Sequence, residues 1–305
     1  MKNAMFVTLC IIFVLQISTS ISAQEVVLPS VIDTNKIYRV ELKEGSIFIG
    51  KIINRDIGTI TMKTTAIASL NISIASIKTF TAIEQENIKE GVFWFPNPNA
   101  TRYLFGPTAF SLAKGEGYYQ NTYLFLNSFN YGVTNHFTMG AGVEIISLFG
   151  GYDSDGPTPI IFLTPKYTWN LDPKWNVGTG VIFVSIPNFD SETSKRNSAG
   201  IAYGIGTYGN IEHNLTLGLG WGFVESEMME QPIVTFSGMT RFSKKTAFVT
   251  ENWLVPIDGE IYGIYSYGIR FFGEKIAVDL AFLNNPEIFE TMFIGVPYID
   301  FVVKF

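Results

Sequence analysis

Residues 214–224 read NLTLGLGWGFV, with Leu215, Leu217, Leu219, Trp221 and Phe223 on one parity and Thr216, Gly218, Gly220 and Gly222 on the other. Successive side chains of a β-strand point to opposite faces, so this is a strand with one apolar face and one nearly bare face. The pattern recurs along the chain. Met139, Ala141, Val143 and Ile145 alternate with Gly140, Gly142 and Glu144. Trp175, Val177, Thr179, Val181 and Phe183 oppose Asn176, Gly178 and Gly180. Ile276, Val278, Leu280 and Phe282 oppose Ala277, Asp279 and Ala281, and Ile299, Phe301, Val303 and Phe305 oppose Asp300 and Lys304.

Two architectures use such strands. A soluble sandwich buries the apolar face and turns the other to water. A transmembrane barrel turns the apolar face to lipid and the small or polar face to a lumen. Composition favours the barrel. Of 305 residues 47% are hydrophobic and 15% aromatic, but only 16% are charged, against roughly 25% in soluble proteins. The faces opposite the apolar ones hold Gly, Ala, Thr, Asn and Ser where a soluble surface would carry Lys and Glu. Aromatic residues sit near segment ends, where rings with a polar edge suit a bilayer interface: Tyr118, Tyr119, Phe129, Tyr131, Trp169, Trp175, Trp253, Phe271 and Phe272.

The expected organisation has five parts. Residues 1–23, with Lys2, an apolar run from Met5 to Ile17 and small residues ending at Ala23, follow the plan of a cleaved secretory signal peptide. Their apolar run is shorter than the ~20 residues of a spanning helix. Cys10 is the one cysteine, so the mature chain is expected to have no disulfide and no thiol chemistry. Residues 24–36 read as a linker. Residues 37–83 read as a small periplasmic β domain of about five segments, with turns at Glu44-Gly45 and Asp56-Ile57-Gly58 and a core from Ile37, Val40, Leu42, Ile47, Ile49, Ile52 and Ile60. A strand, a Lys-Glu-Gly turn and the strand containing Phe48-Ile49-Gly50-Lys51 loosely resemble an SH3-like or Sm-like barrel. Residues 84–100, charged and then interrupted by Pro96 and Pro98, read as a second linker.

From 101 to 305 strand-like segments recur at a spacing of ~17 residues. About twelve are expected, near 102–111, 117–130, 136–148, 158–169, 174–186, 199–209, 212–224, 232–242, 245–256, 260–272, 274–283 and 291–305. The fold class expected is therefore all-β: an antiparallel transmembrane barrel of about twelve strands after a small β domain. Closure satisfies the backbone hydrogen bonds that lipid cannot.

The terminus YIDFVVKF, with Phe301, Val303 and Phe305 on one parity, resembles the C-terminal signature of bacterial outer-membrane proteins. That resemblance implies a last strand read by the barrel-insertion machinery. Residues 97–146, with Asn-Pro-Asn-x-Thr-Arg-Tyr followed by Gly-Glu-Gly-Tyr-Tyr, resemble a group of outer-membrane barrel proteins of Bacteroidota-type bacteria with no assigned activity. The resemblance covers about a sixth of the chain by the residues just quoted and implies fold and location, namely the outer membrane of a Gram-negative cell.

No catalytic set emerges. An outer-membrane phospholipase family with twelve strands uses Ser, His and Asn, placing His two residues before Ser. At that distance His136 is followed by Thr138 and His213 by Leu215, so the motif is absent. No metal is expected: Asp153 and Asp155 in GGYDSDGPTP lack the later acceptors of a calcium loop. YGIGTYG and GLGWG are not followed by a helix to hold a phosphate, so no nucleotide cofactor is expected. A formal charge of −6 without basic clusters argues against nucleic acid.

What remains is a set of charges expected to face the lumen: Glu144, Lys166, Arg270, Asp279, Asp300 and Lys304, with Glu251 ambiguous because Trp253 shares its parity. They either pair across a filled interior or tune the wall of a pore or pocket. The function expected is a narrow passive channel, a small-ligand binder or a structural envelope component. Its partners would be outer-membrane lipid, the insertion machinery and a small polar solute. The rivals are an outer-membrane enzyme of lipase or protease type and a soluble secreted β-sandwich.

Overall fold

The computed structural model describes residues 28–29, 32–149, 159–187 and 196–305. The leader with Cys10, and the Asp153–Asp155 stretch, lie outside the described residues. The chain divides into two units, Met1–Phe95 and Pro96–Phe305.

In the first unit, β1 (Ile37–Leu42), β2 (Ile47–Arg55), β3 (Thr59–Thr64), β4 (Leu70–Ser73) and β5 (Ile77–Ile83) form one antiparallel sheet of order β4-β3-β2-β1-β5. A 3-10 turn, Ile74–Ser76, leads into β5. Gly45, at φ +97°, closes the β1–β2 turn by donating to the Leu42 carbonyl at 2.9 Å. Tyr38, Val40, Ile52, Ile60, Met62, Ile72 and Ile77 make the core. Ile47 does not join it and is exposed. Val40 pairs with Phe48, which packs against the core in its place; Ile47 and Ile49, one residue to either side, therefore point away.

In the second unit twelve strands close into one antiparallel barrel. They are Gly117–Thr122, Leu126–Gly132, Phe137–Glu144, a broken strand Ile161–Leu163 and Lys166–Asn170, then Trp175–Pro187, Arg196–Gly209, His213–Val224, Ile233–Ser243, Thr246–Ile257, Glu260–Phe272, Ile276–Asn284 and Val296–Lys304. Each pairs with the next, and the last pairs back on the first through Lys304–Tyr118 to Asp300–Thr122. The connections at one end are short: 133–136, 171–174, 210–212, 244–245 and 273–275. The other end carries the longer described connections, 225–232 and 285–295, along with the tight turns 123–125 and 258–259. Among the described residues no helix is long and apolar enough to cross a membrane.

The number of strands expected from sequence matches this barrel because two departures cancel. Residues 102–111 are not a barrel strand, and residues 117–130 hold one strand and part of a second, divided by the turn at Tyr123–Phe125. Gly106-Pro107 lies in the middle of the supposed first strand. Proline cannot donate to a ladder, and Gly-Pro marks a turn.

The bare face of NLTLGLGWGFV now has a reason. Leu215, Leu217, Leu219 and Trp221 are exposed on the outside of the barrel, whereas Thr216, Gly218, Gly220 and Gly222 are buried. Ile201, Tyr203 and Ile205 of the preceding strand sit opposite Gly222, Gly220 and Gly218. A Cβ at Gly220 would lie 2.7 Å from Ile201 Cγ2 and 3.3 Å from Tyr203 Cβ, so large side chains on one strand occupy the space left by glycine on its neighbour.

The outer face continues through Phe236, Phe248, Ile264, Tyr267, Leu280 and Ile299, all exposed. A soluble sandwich would cover these side chains. A closed barrel with an apolar outside and no open sheet edge is the β-structure that can span a bilayer. Rings flank this face: Tyr167 packs on Trp169 at 4.7 Å and Trp175 on Tyr208 at 5.0 Å. Tyr118, Trp253 and Phe272, expected in the same girdle, instead turn inward; Tyr118 and Phe272 are buried, and Trp253 reaches Glu251 inside. We expect Leu217→Arg to destabilise the protein in phosphatidylcholine vesicles by about 2–4 kcal/mol, the cost of a cation near the bilayer midplane. Urea titration followed by the unboiled gel shift measures it. An unchanged midpoint would mean that this face does not meet hydrocarbon.

Candidate functional site: a hairpin inside the barrel

The segment after Phe95 enters the barrel at the end with short turns, where Asn97 Nδ2 donates to the Ile211 carbonyl at 2.9 Å. It doubles back as a hairpin: Thr108 N–H donates to the Thr101 carbonyl at 3.0 Å and Tyr103 N–H to the Gly106 carbonyl at 2.9 Å. Asn97, Asn99, Thr101, Arg102, Tyr103, Leu104 and Thr108 are all buried. Pro96–Ala100, read from sequence as the end of a linker, thus belong with the barrel.

Three charged side chains of the wall hold the hairpin by its backbone. Glu251, in the middle of the strand Thr246–Ile257, accepts from three consecutive amides: Leu104 at 2.8 Å, Phe105 at 3.0 Å and Gly106 at 2.9 Å. Trp253 Nε1 donates to its other oxygen at 2.7 Å, so both residues of that parity face inward. Successive N–H groups converging on a carboxylate form an anion nest. A Cβ at Gly106 would meet Glu251 Cδ at 3.3 Å, which is why glycine suits the closest approach.

Lys166 does the converse. Its ammonium donates to the carbonyls of Thr101 at 2.9 Å, Thr108 at 2.9 Å and Phe110 at 2.7 Å, using all three of its protons. Arg270 forms a two-bond pair with Asp279 on the adjacent strand, at 2.7 and 2.8 Å. Its remaining protons go to the hairpin carbonyls of Asn99 at 2.5 Å, Tyr103 at 2.7 Å and Arg102 at 3.3 Å. Planar guanidinium geometry permits both sets at once.

Neutral contacts complete the seat. Tyr103 OH lies 2.7 Å from Asn214 Oδ1 and 2.8 Å from Thr216 Oγ1. Thr216 Oγ1 is 2.7 Å from Thr207 Oγ1, which accepts from Ala109 N–H at 2.8 Å. The hydrogen-bond chain therefore leaves the hairpin, crosses two strands and returns. Asp300 accepts from Arg102 at 3.0 Å, from Gln120 at 2.6 Å and from Thr122 at 2.7 Å.

Of the six charges expected in the lumen, Lys166, Arg270, Asp279 and Asp300 are buried and gathered around the hairpin. Glu144 and Lys304 lie at opposite ends. Glu144 accepts from the Ile146 and Ser147 amides at 2.7 Å each, capping the short helix Ile146–Phe149, and Lys304 pairs with Glu116 at 3.0 Å. Phe301 and Val303 share the outward parity of the last strand, and Phe305 ends it exposed. His136 Nδ1 is 3.1 Å from the Thr168 carbonyl and His213 Nδ1 is 2.8 Å from Thr240 Oγ1, each at the short-turn end. Among the described residues no cluster of His, Cys, Asp and Glu could hold a metal ion.

The sequence reading missed Arg102, Tyr103 and Gly106 as interior contacts. The available signal was the unbroken apolar triplet Tyr103-Leu104-Phe105 followed by Gly-Pro, which fits neither a lipid-facing strand nor an exposed turn.

Toward the end with longer connections the lumen widens beyond the hairpin into a cavity of about 360 Å³. Its lining includes Arg102, Phe105 and Pro107 of the hairpin and Gln120, Leu126, Asn130, Phe162, Lys166 and Val184 of the wall.

No family model matches the chain, and no curated protein matches it. Similar solved structures include two outer-membrane proteins. The KdgM porin in complex with disordered oligogalacturonate has a TM-score of 0.40 and 8% identity, over 62% of this chain and 95% of that one. OmpTdeltaL8, a loop L8 deletion mutant of OmpT, an outer membrane protein of Vibrio cholerae, has a TM-score of 0.31 and 10% identity, over 88% of this chain and 96% of that one. At these scores the likeness is one of general architecture, and the barrel assignment rests on the closed strand register and the exposed apolar outer face.

Proposed function

We propose that this protein is an outer-membrane β-barrel closed by its own internal hairpin, and that it serves as a ligand-binding or structural envelope component rather than as an open channel. The observation that carries this reading is the use of the interior charges. Lys166 gives all its hydrogen bonds to hairpin carbonyls, and Glu251 and Arg270, beside their bonds to Trp253 and Asp279, also hold the hairpin backbone, so these charges anchor a plug instead of lining a path for ions.

Short turns mark the periplasmic side of bacterial barrels and longer loops the outside. On that rule the hairpin enters from the periplasm and the cavity faces the exterior. Residues 1–23 are the export signal in this reading, and the last strand, with Phe301, Val303 and Phe305, is the segment presented to the insertion machinery.

Planar-bilayer recording tests the proposal. The full-length protein should give a flat baseline, and a variant in which residues 98–111 are replaced by a short Gly-Ser linker should conduct, provided that it keeps the unboiled gel shift of a folded barrel. Steady single-channel steps from the full-length protein would overturn it.

A further inference from the structure

The cavity beyond the hairpin has the chemistry of a binding site. Its volume of about 360 Å³ falls within the ~300–1,000 Å³ of small-molecule pockets. Phe105, Leu126, Phe162 and Val184 form apolar walls, while Arg102, Lys166 and Asn130 supply polar groups. The two cations are not matched by any acidic side chain in the lining, among the described residues. Arg102 pairs through one terminal nitrogen, at 3.0 Å, with Asp300, whose Oδ2 also accepts from Gln120 and Thr122 of the lining. Its Nε is buried and has no hydrogen-bond partner among the described residues. Lys166 has no carboxylate partner among the described residues; its three bonds go to neutral carbonyls. Its charge therefore lies beside an apolar chamber with no directly bonded carboxylate among the described residues.

We infer that this cavity binds a small amphipathic organic carboxylate, with its acid group toward Arg102 and Lys166 and its apolar body against Phe105, Leu126, Phe162 and Val184. Burial of the apolar body and a charge-assisted bond to the guanidinium supply the affinity. The inference rests on the closed-barrel reading, since the hairpin contributes Arg102 and Phe105.

Isothermal titration of the full-length protein in amphipol with 4-phenylbutyrate, and with the neutral 4-phenylbutanamide, tests it. The acid should bind one per barrel and at least tenfold more tightly than the amide. Val184→Trp, which fills the chamber without touching a charge, and Arg102→Gln should each weaken the acid at least tenfold. Equal binding of acid and amide, unchanged binding in Val184→Trp, or no binding by the wild type would overturn the inference. Bilayer recording separates the two failures. A flat baseline with no binding removes the pocket and leaves the closed barrel, whereas steady conductance removes the closed barrel itself.

Discussion

Replacing Arg270 by Met should lower stability by about 3–5 kcal/mol, the usual result of removing one member of a buried ion pair. The side chain is fully buried and bonds both Asp279 and three hairpin carbonyls. Its loss strands the Asp279 carboxylate and frees the Asn99, Arg102 and Tyr103 carbonyls together. The double variant Arg270→Met with Asp279→Leu separates the two contributions. It removes the unpaired carboxylate, so stability should recover in part, while the hairpin carbonyls stay without a donor. Urea unfolding in detergent micelles, compared across the two variants, measures both. If the double variant regains wild-type stability in full, the arginine serves the wall pair alone and does not hold the hairpin.

Glu251→Ala should release the hairpin tip. Three amides lose their common acceptor, and each buried N–H left unsatisfied costs about 1–3 kcal/mol. A total on the order of 4 kcal/mol exceeds what a short turn gains from its own two backbone bonds, at about 1 kcal/mol each. The barrel wall is not part of that loss, because its ladder bonds do not involve the carboxylate. The expected phenotype is therefore local: a folded barrel by gel shift, trypsin cleavage after Arg102, and intermittent conductance in a bilayer. Glu251→Gln keeps an acceptor oxygen but not the charge and should cleave more slowly. Resistance to trypsin in Glu251→Ala would show that the remaining contacts through Lys166 and Arg270 are enough to seat the hairpin.

Both results depend on a feature of charge balance inside the barrel. Arg102 with Asp300 and Arg270 with Asp279 are ion pairs. Lys166 and Glu251 are not partners of one another. Each is satisfied by backbone dipoles of the hairpin, carbonyls for the ammonium and amides for the carboxylate. In a low-dielectric interior a single charge is tolerated only when it is fully hydrogen-bonded. The hairpin thus supplies the hydrogen bonds that Lys166 and Glu251 lack from side-chain partners of opposite charge.

The sequence alone determined the barrel. Period-two alternation with Gly, Ala and Thr opposite Leu, Val and aromatic residues is a local property of each strand, and it fixes which face meets lipid whatever the neighbours are. It also placed Lys166, Arg270, Asp279 and Asp300 on the inward parity. What surrounds those four residues was not legible, because their partners lie up to 198 residues away, as with Asp300 and Arg102. Glu251 could not be oriented from sequence either, since Trp253 on the same parity looked lipid-facing until the lumen proved to have room for an indole that donates to the carboxylate. Gly106-Pro107 marked a turn in residues 101–108, but where that turn sits was decided by tertiary structure. Only the closed wall, offering one carboxylate and two cations at the right depth, makes the interior the lower-energy place for that segment.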